Sequence, residues 1–202
     1  MTKKMWGAGL LATAVVVGGG LFLTMPSDAA LPQPINTCQT YANMTHLISL
    51  YGGGGIQAPT PGSLTANLGT TFTTSDGRTG QNVTVTGLSS QGDVKGIGAV
   101  NIQFDSTRTA GGSTIIANQR GAAFPATQRM NFYLTVDVNG QLFRSIDPAT
   151  LLSTSVTSTP PAVGTTFDLA SAVKFESVDK PGEVAMTMAP GRAAVITGHA
   201  AQ

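Results

Sequence analysis

"NFYLTVDVNGQLFRS", residues 131–145, alternates apolar and polar side chains on either side of an Asn-Gly pair. Period-two alternation is the mark of a half-buried strand. Asn-Gly is the sequence of the two-residue type I′ loop, whose twist matches the strands it joins. The stretch therefore reads as a β-hairpin in which Val138 faces Gln141, Val136 faces Phe143 and Leu134 faces Ser145. In that register Phe132, Leu134, Val136, Val138 and Phe143 share one face, which we assign to the core. Arg129, Tyr133, Thr135, Asp137, Leu142, Arg144 and Ile146 fall on the other.

The same habit continues on both sides of the hairpin. From residue 63 onward, short runs of Val, Thr, Ile and Phe are separated by Gly, Pro, Asp and Asn at intervals of about ten residues, as in antiparallel sandwiches and barrels. Candidate strands are 64–74, 81–87, 94–104, 113–118, 130–138, 141–146, 153–158, 164–168, 172–178, 183–188 and 192–197. Asp76-Gly77, Gly111-Gly112, Pro181-Gly182 and Pro190-Gly191 mark turns between them. Further upstream, Cys38, Tyr41, Met44 or Thr45, Ile48 and Tyr51 recur every three or four residues. That spacing predicts a short helix started by Thr37 and stopped by Gly52–Gly55, although "THLISLY" also alternates. The expected fold class is all-β, an antiparallel sandwich or barrel of about eight to eleven strands with one short N-terminal helix.

Lys3 and Lys4 precede an uncharged stretch, 5–27, with its most apolar parts at Leu10–Val17 and Leu21–Leu23. A positive start before an apolar core reads as an export signal, and Ser27-Asp28-Ala29 places small residues for cleavage after Ala29. A retained anchor is the rival reading, since 5–27 is long enough to cross about 30 Å of hydrocarbon. Gly18–Gly20 weaken such a helix. Either way the lysines stay in the cytoplasm, and the rest of the chain is expected to be secreted or periplasmic. The expected organisation is a leader over 1–29, then an extended segment, short helix and Gly/Pro-rich linker over 30–62, and a single β domain over 63–199.

Loss of Lys3, Lys4 and Asp28 with the leader takes the formal charge from +1 to zero. A neutral chain lacks the electrostatic footprint of nucleic-acid or anionic-membrane binding, so neither partner is expected, and a membrane contact would come only through an uncleaved leader. Threonine, at 28 residues, outnumbers the 21 charged side chains, in keeping with half-buried strands. The single cysteine, Cys38, cannot form a disulfide within the chain and reads as a small buried apolar residue.

Reactive chemistry is thinly supplied. No Gly-x-Ser-x-Gly elbow occurs, and Gly87-Leu88-Ser89-Ser90-Gln91-Gly92, its nearest likeness, is expected in a loop. His46, on the expected helix surface, and His199, near the C-terminus, are the histidines available as bases. Two distant histidines and one cysteine lack the local spacing of zinc ligands, and no EF-hand run is present, so no metal or other cofactor is expected. Glu176 and Glu183 flank the turn "VDKPGE", where a mixed-charge turn explains them more simply than a pair of glycosidase carboxyls.

The best binding candidate is the outer face of the hairpin. Arg129, Tyr133 and Arg144 gather there near Asp137, with Arg120 just upstream, and an aromatic ring with guanidinium groups can hold an anion or a sugar. The plainer alternative is a solvated face on which Arg144 pairs with Asp137. The expected function is an exported, non-catalytic binding or assembly module at the cell surface or in the periplasm. Its partner would be a protein, a glycan or an apolar small molecule, and it could self-associate as a homo-oligomer. The alternatives are a carrier enclosing an apolar molecule or lipid against Met130, Met186 and Met188, and a hydrolase with an atypical site built on His46.

Overall fold

A computed structural model describes residues 37–200, so the expected leader over 1–29 lies outside the described residues. The stretch whose spacing predicted a helix is a strand, β1 (Cys38–Leu50). Its buried row is Cys38, Thr40, Ala42, Met44 and Ile48, a period of two, while Tyr41 and Tyr51, two of the supposed helical anchors, are exposed. The glycines after Tyr51 stop the strand as they would have stopped a helix, and the chain turns back into β2 (Ile56–Pro59). This region, expected to be a linker, is sheet. β2 and β3 (Gly62–Thr73) lie along β1 in a single register, from Ile48↔Ile56 to Cys38↔Ala66.

β4 (Thr79–Val94) pairs with β3 and completes a wall. Gly87–Gly92 runs through the middle of β4 and is not a loop, because Leu88 and Ser90 take inward positions on it. Thr86 is an extra residue between the pairs Ala66↔Val85 and Thr65↔Gly87, a bulge that switches the inward row from Gln81, Val83 and Val85 to Leu88, Ser90 and Val94. Gly62 sits where β3 crosses close over β4; a Cβ there would fall on the Ser89 carbonyl and the Ser90 backbone.

The other strands are β5 (Gly98–Phe104), β6 (Thr114–Ala117), β7 (Ala126–Phe132), β8 (Leu134–Val138), β9 (Gln141–Ser145), β10 (Ala149–Val156), β11 (Thr166–Leu169), β12 (Val173–Ser177), β13 (Lys180–Met188) and β14 (Gly191–His199). All pairings are antiparallel, and together they make one 14-stranded sheet. The sheet closes on itself twice. The first circuit runs β1–β3–β4–β6–β7–β10–β11–β14 and returns to β1; the second runs β1–β3–β4–β5–β8–β9–β12–β13 and returns to β1. β1 gives Thr40–Met44 to β14 and Ile48–Leu50 to β13. β4 gives Gly80–Asn82 to β6 and Ser89–Val94 to β5. The two barrels therefore follow one another along the shared wall, and closure removes most free strand edges.

The hairpin of β8 and β9 has the expected turn, with positive φ at Asn139 (53°) and Gly140 (85°), and the expected pairs Val138↔Gln141 and Val136↔Phe143. Phe132, Leu134, Val136, Val138 and Phe143 are all buried. The strand expected over 130–138 is instead two. β7 ends at Phe132 within the first barrel, β8 begins at Leu134 within the second, and Tyr133 is the crossing point, its carbonyl accepting the Asp105 N–H.

Candidate functional site

The inward row of β1 lines two apolar cavities. A cavity of about 40 Å3 lies within the first barrel, its wall largely apolar and including Ala42, Ala66, Leu68, Met130, Phe167 and Ala194. A second, of about 20 Å3, lies where the barrels meet, between Phe132 and Leu169 of the first and Ile102, Leu134 and Met188 of the second. Met44, Leu151 and Ala194 line both and form the partition. The space follows from residue volume: alternate strand positions bring small side chains inward here, and interiors otherwise pack to crystal-like density.

Four polar residues break this apolar lining. Cys38 and Thr40 face the larger cavity and contact each other at 3.7 Å (Sγ to Oγ1); burial pushes the thiol's pKa up, and the Thr40 hydroxyl pulls the other way. Gln128 Oε1 and Thr159 Oγ1 are sealed from solvent on the same wall and have no hydrogen-bond partner among the described residues.

His46 faces the smaller cavity. Part of its side chain is accessible, yet both ring nitrogens are sealed and neither has a partner among the described residues. Burial lowers its pKa to about 4, so the ring is neutral at ordinary pH, with one donor and one acceptor nitrogen. Expected on a helix surface, His46 is instead brought to the interior by its even-numbered place on β1. No third group orients it as a triad carboxylate would.

The four residues expected to form a binding face are spread over the molecule. Arg129 stands exposed on β7 between Thr114 of β6 and Leu152 of β10, in the first barrel. Arg144 lies on β9 in the second barrel and pairs with Glu176 at 2.7 Å rather than with Asp137, whose Oδ1 accepts the Gly140 N–H. Glu176 also accepts the Gly182 N–H, and that bond, followed by the one from Arg144, holds its carboxyl below the usual range. Tyr133 is covered by Arg108, whose guanidinium lies 3.6 Å from the ring centroid while donating to the carbonyls of Ser145 and Ile146. Arg120 reaches towards the turn at Gly77.

Arg108 thus holds the place by Tyr133 that the alternation had suggested for Arg129 and Arg144. Its position in a turn far from the hairpin gave no periodic signal. It also borders an open groove of about 540 Å3 where β5 and β6 diverge from β4, together with Phe104, Thr84 and Asn131. Among the described residues there is no group of three His, Cys, Asp or Glu side chains placed to hold a metal ion.

Comparison with known proteins bears on the fold alone. No family model and no curated protein matches the chain. A solved structure does. DynF, from the dynemicin biosynthesis pathway of Micromonospora chersina, aligns over 86% of this chain and 84% of its own with a TM-score of 0.66. At 16% identity the likeness shows the arrangement of strands alone.

Proposed function

We propose that this protein is an exported, non-catalytic binding protein that holds an apolar small molecule inside its first barrel. The observation that carries this reading is the apolar cavity lined by inward residues of a closed ring of strands, a geometry in which a barrel of this size has room for one small ligand. Export rests on the leader sequence: Lys3 and Lys4 followed by the uncharged stretch 5–27. Closure of both circuits speaks for holding a ligand over recruiting further strands, since assembly by strand addition needs a long free edge.

The cavity of about 40 Å3 is far smaller than the several hundred Å3 that a drug-sized ligand fills. Binding therefore requires the wall to give way, and Met44 and Met130 are the unbranched, readily rearranged side chains on it. Organic extraction and native mass spectrometry of the protein purified from its own host test the reading. The expected result is a stoichiometric apolar compound. Protein that carries none, and that takes up no neutral apolar fluorophore, overturns it.

A second reading, surface association, is favoured by the exposed apolar side chains Tyr51, Leu142, Val178 and Val184 around β9, β12 and β13. On that reading Leu142→Glu lowers the mass of a homo-oligomer measured by light scattering. A monomeric wild-type protein removes it.

A further inference from the structure

Beyond an apolar shape, the interior presents a specific polar demand. His46 lines a cavity whose other walls are side chains such as Leu88, Phe132 and Met188, and both of its ring nitrogens are buried without a partner among the described residues. A buried polar group without a partner is costly, and the cost disappears when a ligand supplies one. The neutral imidazole offers one donor and one acceptor, and no charged side chain lines the cavity. An anionic or cationic group would meet no opposite charge there, whereas a neutral group that both donates and accepts would match.

We propose that His46 is the hydrogen-bonding anchor for an apolar ligand bearing one neutral donor-acceptor group, such as an alcohol, which reaches it past Met44. This rests on the reading of the barrel interior as the binding site. Met44 is the flexible member of the partition it forms with Leu151 and Ala194, and its rotation is the movement that would open a passage from the first barrel to the imidazole. Row order on β1 sets the geometry: Cys38, Thr40, Ala42 and Met44 lead inward and His46 follows. The apolar body of the ligand then lies along the alanine-lined wall of the first barrel, with its polar end at the junction.

The experiment uses octanol and octane as probes on the purified protein, each displacing a neutral fluorophore, N-phenyl-naphthylamine. In His46→Leu the ratio of octanol to octane affinity is expected to fall about tenfold, because the alcohol loses its partner while the alkane loses nothing. An unchanged ratio with both probes still bound overturns the anchor and leaves the binding interior standing; Gln128 or Thr159 would then hold the hydroxyl. Failure of the wild-type protein to bind either probe overturns both readings. Should His46→Leu not fold, nitrogen NMR of labelled histidines in the wild type decides, with His199→Asn giving the assignment. Bound octanol is expected to move the His46 resonances and bound octane to leave them. No movement with octanol bound overturns the proposal.

Discussion

The two barrels share β1, β3 and β4 and differ in what fills them. In the second, Phe143, Phe175, Ile102, Val136 and Met186 are almost fully buried and occupy the interior between them. In the first, Ala42, Ala66, Ala149 and Ala194 are buried among larger side chains such as Phe167 and Met130, and the cavities lie against these alanines. Strand geometry is common to both, so the volume of the inward side chains decides whether a barrel of this size is solid or hollow. The second barrel is therefore expected to contribute more packing stability, and the first to give up some packing for space.

The largest test of that contrast is Phe143→Ala. The ring is fully buried in the solid barrel and stacks edge-on against Tyr51 at 6.3 Å between centroids. Its loss is expected to cost about 3–5 kcal/mol, the range for large aromatic truncations in a core, read as a lower denaturant midpoint. Met130→Ala, on the wall of a cavity that already exists, is expected near the low end of its range, about 2 kcal/mol. Equal costs at the two positions would mean that the barrels are packed alike.

The second test is pH. His46 has a pKa of about 4 in the fold, against 6.5 as a free side chain. Between those values the unfolded chain binds more protons, so stability is complete above pH 6.5 and declines as pH falls to 4. The full loss is about 3 kcal/mol, from roughly 1.4 kcal/mol per pKa unit. Chemical denaturation followed from pH 7 to 4.5 should show this slope in the wild type and a flatter one in His46→Leu. The depressed carboxyls of Asp76 and Glu176 start to lose their stabilisation near their ordinary values of 3.8 and 4.5, at the acid end of this range, so the slope above about pH 5.5 is the part that reports the imidazole. A slope untouched by the substitution would place His46 in water and remove it from the junction.

The sequence makes the second barrel more legible than the first. Asn139-Gly140 fixed one register, and every side chain in its neighbourhood followed by alternation. Local signals of that kind say nothing about the pairings that matter most, β1 with β14 and β4 with β6, which join residues far apart in the chain. β1 reads as a helix in sequence because Cys38, Tyr41, Met44, Ile48 and Tyr51 satisfy a helical spacing that uses residues from both faces of a strand. That error carried the site with it: on a helix His46 faces solvent, on a strand it faces the interior. The arginine cluster was misplaced for a related reason, since one unbroken strand over 130–138 puts Arg129 and Tyr133 on one face of one sheet, whereas the chain changes barrels at Tyr133. The cavity itself left one compositional trace, alanine where a solid core would have a larger residue.

That trace yields the smallest effect on stability and the sharpest on function. Ala66 lies on β3, opposite Cys38 of β1 and Val85 of β4, and borders the larger cavity. Ala66→Val adds two methyl groups at a strand position that suits a β-branched residue. Burying them gains about 0.8 kcal/mol each, set against the 1–3 kcal/mol that an overfilled core loses. With free space beside the new side chain, the net change is expected to stay within about 1 kcal/mol. The same methyl groups occupy the volume a ligand would take, so uptake of a neutral apolar fluorophore should fall severalfold while the denaturant midpoint barely moves. The reverse pattern, a marked loss of stability with uptake intact, would mean that the first barrel is as tightly filled as the second and that any ligand sits elsewhere.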